Sequence, residues 1–174
     1  MVQRGIARTF QQIRIFPELT VRENLLLALS SQYDSWWKSF LKKDEKEENS
    51  AAFQLLSEVK LEKYIDEKAK NLSYGQSKLL EIIRTIATGA DLLLFDEPAA
   101  GVNPTMLMTV KKLIRELKKK GKTILVIEHN MPFLMEISEE IIVMENGKFL
   151  CQDTPEKVQK DIRVLEAYLG KSGF

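Results

Sequence analysis

One segment constrains the fold of this chain more than any other: an apolar run that ends in two acids and a proline, Leu92 to Pro98 (LLLFDEP). A short apolar run bounded by charge is typical of a strand buried in a parallel sheet. A second such run, Thr123 to Ile127, follows a helical pattern from Pro104 to Lys120 that ends at Gly121. Strand, helix and strand in this order predict an α/β fold with a parallel sheet.

Composition excludes several classes of protein. The 174 residues are 44% hydrophobic and 29% charged, with a formal net charge of +1. Balanced charge argues against disorder and against a nucleic-acid binder that relies on bulk positive charge. The sequence has no apolar run of about 18 residues and no signal-peptide core, so we expect a soluble intracellular protein. One cysteine and one histidine exclude an internal disulfide and a His-x-x-x-His metal motif.

Capping boxes mark the starts of two further helices. Thr20 to Glu23 predicts a helix from Val21 to about Ser30, and Ser73 to Gln76 predicts one that reaches about Thr88. The first ten residues show little periodicity, and the charge run over 42–48 is interpreted as an exposed loop or helix face. The remaining predicted elements are helices over about 50–60 and 131–138, a hairpin formed by Ile141–Met144 and Phe149–Cys151, and one closing helix that carries Val158, Ile162, Leu165 and Leu169.

The paired acids after the first apolar run are the first candidate for chemistry. Carboxyl ends of strands are where open α/β sheets bind ligands. Asp96 is suited to hold a hydrated Mg²⁺, a hard ion that prefers oxygen ligands. Glu97 is suited to orient and polarise an attacking water. Taken alone, the pattern fits equally well a strand that simply stops at polar residues.

Two other motifs add to this candidate. His129 follows the second strand, so we expect Asp96, Glu97 and His129 together at one edge of the sheet, with Ser73 away from them. The free N–H groups of the helix that begins after Ser73 offer an anion site, and Gly75 would let a phosphate approach the backbone. An ordinary helix cap is the simpler explanation of that motif in isolation.

The phosphate-binding loop Gly-x-x-x-x-Gly-Lys-Ser/Thr is absent from this sequence. Gly121-Lys122-Thr123 matches only its last three residues, and residue 116, where the first glycine would stand, is Glu116. The triplet also follows a helix and precedes a strand, which is the reverse of a phosphate-binding loop. No two of the eight glycines are five positions apart, so the chain contains no Walker A motif.

In their order, these motifs resemble those of the ATP-binding subunits of ABC transporters. Leu72 to Gln76 resembles the ABC signature, with Tyr74 in place of its first glycine, and Leu92 to Pro98 resembles the Walker B strand with its catalytic glutamate. The remaining matches are Ala99 to Pro104 with the D-loop, His129 with the switch histidine, and Gln11 with the Q-loop glutamine. Three segments are similar in sequence to the branched-chain amino acid importers: Gly5 to Gln11, Ile15 to Val21 and Ala167 to Gly170.

The resemblance implies ATP and Mg²⁺ as cofactors and a role for each motif. It implies Glu97, His129 and Gln11 as catalytic residues, and Asp96 and Gln11 as the residues at the metal. The nucleotide-binding residues would be Ser73, Tyr74, Gly75, Gln76 and Asn103, the last standing where the family more often has an aspartate. The signature residues would serve the nucleotide of a second ATP-binding subunit.

The resemblance also implies an architecture and partners. The fold would be a P-loop NTPase-like parallel sheet, with a helical subdomain over about 22–90 and the Walker B, D-loop, histidine and C-terminal parts over 91–174. The partners would be a second ATP-binding subunit and transmembrane permease subunits, with no nucleic acid. The chain would lie in the cytoplasm, peripheral on the inner face of the membrane. The power stroke would be transmitted to the permease through the surface around Phe16 and a helical arm. Trp36 and Trp37 are expected to pack within that arm.

Without Walker A, we expect a cassette truncated at its N-terminus, with weak or no ATPase activity alone. Loss of the strand before Walker A would leave open edges along 123–127 and 141–144. One alternative is a non-catalytic partner that donates only its signature helix to a complete subunit. Another is the ATPase head of a DNA-repair protein, which the absence of sustained heptads between Gln11 and Ser73 disfavours.

Overall fold

A three-stranded parallel sheet organises the larger of two units in the computed structural model. The structure describes residues 5–30 and 45–169, and the chain divides into the units Met1–His129 and Asn130–Phe174. The sheet consists of β1 (Ile6–Arg8), β2 (Leu92–Asp96) and β3 (Thr123–Ile127), paired in that order. Both pairings are parallel, which confirms the predicted α/β architecture. Strand β1 was not predicted, because three residues are too few to show a period.

The described residues of this unit form four α-helices: α1 (Val21–Ser30), α2 (Glu45–Glu58), α3 (Tyr74–Ala87) and α4 (Pro104–Lys119). Both capping boxes are confirmed. The Thr20 N–H donates to Glu23 Oε2 at 2.7 Å, and the Ser73 N–H donates to Gln76 Oε1 at 2.8 Å. Helix α2 begins five residues earlier than predicted, because the glutamates and lysine at its start are good helix formers. The expected packing of Trp36 and Trp37 lies outside the described residues.

The core of this unit lies between the helices and one face of the sheet. Leu93 and Phe95 of β2 are each 1% exposed and point to that face. The largest of the other fully buried apolar side chains come from the helices and the loop after α2: Val21, Leu25, Leu56, Leu61, Leu79, Leu80, Ile82 and Ile83. Helix α3 is therefore the central helix, since it contributes four of them and contacts both α1 and the sheet.

The smaller unit is built on an antiparallel hairpin. It contains α5 (Met131–Ile137), β4 (Ile141–Glu145), β5 (Lys148–Asp153), α6 (Pro155–Val158) and α7 (Ile162–Leu169). The predicted hairpin is confirmed, with positive φ at Asn146 and Gly147 as its two-residue turn requires. The prediction of a single closing helix was wrong. Asp161 accepts the Arg163 N–H at 2.9 Å and thereby caps a new helix, which separates α6 from α7.

Strand β3 is less buried than its apolar sequence predicted. Among the described strands, β3 pairs with β2 alone and β4 pairs with β5 alone. Leu125 and Ile127 are 50% and 55% exposed, and both lie on the sheet face opposite Leu93 and Phe95. The prediction of a buried strand was therefore wrong, because burial of an apolar run requires neighbours that cover both its faces. An apolar strand with an open edge is a template for pairing with another chain.

We expect the chain to associate with itself through β3, and Leu125→Lys to lower the associated fraction severalfold. A charge on an exposed edge strand disfavours edge-to-edge pairing. Light scattering over a concentration series measures the association, and amide hydrogen exchange over 123–127 measures protection of the strand.

Met108→Lys is the matched control, because Met108 is 61% exposed but lies on α4. Equal effects of the two lysine substitutions would contradict the assignment to β3. A monomeric wild-type chain with strongly protected amides over 123–127 would contradict the association itself.

Candidate functional site

The candidate site lies where the three parallel strands end. Strand β1 leads into the loop that carries Gln11, β2 ends at Asp96 and is followed by Glu97, and β3 is followed by Glu128 and His129. Parallel pairing places these carboxyl ends along one edge of the sheet. This edge brings together acids and an imidazole from segments that are far apart in the sequence.

Glu97 and His129 are neighbours at this edge. His129 Nδ1 lies 3.6 Å from Glu97 Oε1, which is an electrostatic contact rather than a hydrogen bond. Glu97 adopts a φ of 46°, a left-handed conformation uncommon for a residue with a side chain. Its N–H donates to the Ile127 carbonyl at 2.9 Å, which ties this turn to the end of β3. The Glu97 side chain is 30% exposed, so its carboxylate is open to a ligand and to water.

Asp96 is held by contacts to its main chain as well as its side chain. Its N–H donates to Thr9 Oγ1 at 2.9 Å, and Lys78 Nζ lies 3.4 Å from its carbonyl oxygen. Its carboxylate accepts a hydrogen bond from Arg8 Nη2 at 2.9 Å. This carboxylate is thus already paired with a cation, and its hard oxygens suit Mg²⁺.

A metal at Asp96 would need further ligands. Within the described ranges, no group of three or more His, Cys, Asp or Glu side chains could hold a metal ion. Mg²⁺ commonly binds one or two carboxylates and completes its shell with water and phosphate oxygens. The residues present therefore fit a metal that arrives with a phosphate ligand.

Glu128 is a residue of this edge that the sequence did not single out. Its Oε1 accepts the Ala99 N–H at 2.7 Å, and its Oε2 accepts the His129 N–H at 3.1 Å. One carboxylate therefore joins the loop after β2 to the end of β3. Its position directly before the histidine was the only signal in the sequence.

The residues from Ser73 to Gln76 form the first turn of α3 and cap it. Tyr74 is 54% exposed, and its ring packs against Gly101, where a Cβ atom would overlap it. Gly101 also has a φ of 68°, so both space and conformation require glycine there. A Cβ on Gly75 would lie 2.8 Å from the Met106 sulfur, so this flexible side chain would have to move to admit it.

Asn103 and Gln11 occupy simpler positions. Asn103 caps α4, with its side-chain oxygen accepting the Met106 N–H at 2.9 Å. Gln11 is exposed in the loop that follows β1. Their approach to a nucleotide and a metal stays a prediction, as does the separation of Ser73 from the strand-end acids.

A buried ion pair on α3 fixes the loop that carries Gln11. Glu81 Oε1 accepts the N–H groups of Phe10 and Arg14, at 3.5 and 3.1 Å. Lys78 Nζ lies 3.5 Å from Glu81 Oε2, and the two side chains are 1% and 4% exposed. Since Lys78 also reaches the Asp96 carbonyl, this pair connects the Gln11 loop to the end of β2.

Arg84 secures the same loop one turn further along α3. Its guanidinium donates to the carbonyl of Arg14 and, through Nε at 3.2 Å, to the carbonyl of Asn24. Burial lowers the pKa of Arg84, and the charge of Glu81 opposes that shift. The sequence contained a signal for these residues, because Lys78, Glu81 and Arg84 stand among the leucines and isoleucines of α3. In the structure, the residues directly before and after each of the three are buried.

We expect Lys78→Met to lower the free energy of unfolding by about 3–5 kcal/mol, because it leaves Glu81 as an uncompensated buried charge. Adding Glu81→Gln should recover part of this loss, since glutamine keeps an acceptor for the two N–H groups but carries no charge. Urea unfolding followed by circular dichroism measures both effects.

The exposed pair Lys119 and Glu116 has the same i, i+3 spacing and serves as the control, with side chains 72% and 44% exposed. Lys119→Met should change stability by less than about 1 kcal/mol. If Lys78→Met costs no more than Lys119→Met, the buried pair does not hold the loop as described.

Comparisons with known proteins agree with this geometry. The model of the ABC transporter family matches residues 1–100. The high-affinity branched-chain amino acid transport ATP-binding protein BraF of Pseudomonas aeruginosa is 37% identical over 99% of this chain, which spans 70% of that protein. In a search of solved structures, an ATP-binding cassette of an ABC transporter in its ADP conformation matches with a TM-score of 0.76 and 35% identity, over 97% of this chain and 70% of that one.

A second solved structure is a dimeric ATP-binding cassette in a post-hydrolysis state, bound to ADP and Pi. It matches with a TM-score of 0.77 and 25% identity, over 88% of this chain and 65% of that one. The fold described above is therefore that of ABC ATPase cassettes. The chain belongs to the ABC transporter family and is similar over nearly its whole length to an ATP-binding protein of branched-chain amino acid transport.

Proposed function

We propose that this chain acts as the ATP-binding and ATP-hydrolysing subunit of an ABC transporter that imports branched-chain amino acids. The observation that carries the proposal is the pair of Glu97 and His129, 3.6 Å apart beside Asp96. In a chain of this family, that arrangement provides a base, a polar partner for it and a carboxylate for a metal. The similarity to the branched-chain amino acid transport ATP-binding protein BraF of Pseudomonas aeruginosa supports the choice of solute.

In this proposal each residue of the edge has a separate task. Glu97 accepts a proton from the attacking water, a step that depends on position more than on strength of the base. His129 lies beside that carboxylate and helps to orient it. Asp96 and Gln11 hold Mg²⁺, which neutralises charge on the phosphates when it is bound.

The first turn of α3 would serve a different nucleotide. Its N–H groups and the positive end of the helix dipole suit an anion. Ser73, Tyr74, Gly75 and Gln76 would bind the nucleotide of a second ATP-binding subunit, with Asn103 contributing from the D-loop. The dimeric cassette among the solved structures supports such a pairing.

The remaining partners follow from the same proposal. Permease subunits would carry the solute across the membrane, and this chain would attach to them on the cytoplasmic side. Among the residues that the structure describes, no helix is both long and apolar enough to span a bilayer. The helical part of the cassette would cover about 22–90, and the Walker B and histidine part 91–174.

A non-catalytic signature donor is the second candidate, and the lack of a Walker A motif in the 174 residues favours it. In that role only the turn from Ser73 to Gln76 would act, on a nucleotide held by another subunit. Nucleotide binding by the chain itself separates the two candidates. Similarity to a transport ATP-binding protein gives no support to a DNA-repair role.

We expect the chain alone to bind MgATP and to hydrolyse it slowly, because no glycine-rich loop holds the phosphates in line. Glu97→Gln should remove the remaining turnover, by about 10²- to 10⁴-fold, and leave binding unchanged, since a general base acts in the chemical step. Phosphate release measures turnover, and a fluorescent ATP analogue measures binding.

Glu116→Gln is the matched control, an exposed glutamate on α4 that should alter neither quantity. Failure of the wild-type chain to bind the analogue would favour the signature donor. Fast turnover that Glu97→Gln abolishes would mean that another part of the chain anchors the phosphates.

A further inference from the structure

The pairing of Arg8 with Asp96 has no part in the function proposed so far. Arg8 ends β1 and is in register with Leu94 of β2. Register partners share a face of the sheet, and Asp96, two residues beyond Leu94, points to that face as well. This diagonal placement lets Arg8 Nη2 reach Asp96 Oδ2 at 2.9 Å.

The two partners differ in their freedom to move. Asp96 is fixed through its N–H by Thr9 and approached at its carbonyl by Lys78, and its side chain is only 19% exposed. The Arg8 side chain is 43% exposed, and it is long and flexible. If this pair opens, the guanidinium therefore moves and the carboxylate stays.

The guanidinium of Arg8 also lies near an aromatic ring, that of Phe10, over which the Arg14 Cζ atom lies at 4.0 Å from the centroid. The Arg8 Cζ atom lies 5.5 Å from the centroid of the Phe10 ring, within the range of a cation–π interaction. This contact is present while Arg8 is paired with Asp96, so it can persist when that pair opens. Leaving Asp96 therefore does not leave Arg8 without a favourable contact.

We propose that Arg8 is an exchangeable counter-ion of Asp96: it neutralises this carboxylate when no metal is present, and a divalent cation binds Asp96 only by displacing it. A divalent cation on the same carboxylate would lie close to the Arg8 guanidinium, and the repulsion between the two positive charges in a partly buried site makes them compete for Asp96. The inference rests on the proposed role of Asp96 at the metal. It adds Arg8 as the residue that sets the affinity for that metal.

The test is a titration of the whole chain with Mn²⁺ alone. Binding is monitored by NMR, through the paramagnetic broadening of the amide signals of residues 94–98. Arg8→Gln should tighten Mn²⁺ binding by about three- to tenfold, as expected when a competing, partly exposed ion pair is removed. Arg8→Met keeps the apolar stem of the side chain and should behave in the same way. Asp96→Asn should abolish the broadening in either background.

Arg22→Gln is the charge-matched control, because Arg22 forms a comparable ion pair with Asp66 at 2.7 Å, away from this edge. It should leave Mn²⁺ binding unchanged. Unchanged or weaker binding in both Arg8 variants would overturn the proposal, as would broadening that survives Asp96→Asn. Absence of Mn²⁺ binding in every variant would overturn it too, while the proposed function would still be judged by nucleotide binding.

Discussion

The ion pair of Lys78 and Glu81 is the interaction on which the rest of the site depends. Both charges are nearly inaccessible to water, so each is tolerable only because the other is present. Their remaining contacts reach the end of β2 on one side and the loop that carries Gln11 on the other. Helix α3 thus carries the proposed signature residues at its first turn and also fixes parts of the proposed strand-end site. Movement of α3 would be felt at both.

The carboxyl edge of the sheet combines charges of both signs within a few ångströms. Arg8 balances Asp96, His129 stands beside Glu97, and Glu128 is used by backbone N–H groups of two loops. The three acids Asp96, Glu97 and Glu128 would repel one another, but each has a different partner. A cation that binds Asp96 would, in our proposal, take the place of Arg8 in this arrangement.

One face of the parallel sheet is covered by helices, and the other face is partly exposed. Leu93 and Phe95 are sealed under the helices, whereas Leu125 and Ile127 are about half exposed. Apolar strands of parallel sheets are ordinarily covered on both faces, so β3 carries more hydrophobic surface than its surroundings bury. An exposed apolar edge strand of this kind favours association with other chains.

The sequence alone determined the elements whose signals are local. Capping residues set the starts of α1 and α3, an Asn-Gly pair set the hairpin, and apolar runs set β2 and β3, because each depends on contacts within a few residues. It also placed Asp96, Glu97 and His129 at strand ends. Only the tertiary structure decided which side chains meet. The pairing of Arg8 with Asp96 and the exposure of Leu125 depend on segments dozens of residues apart, and no local pattern encodes such distances. The charges of Lys78 and Glu81 stand out on α3, but the loop that covers them is equally distant in the sequence.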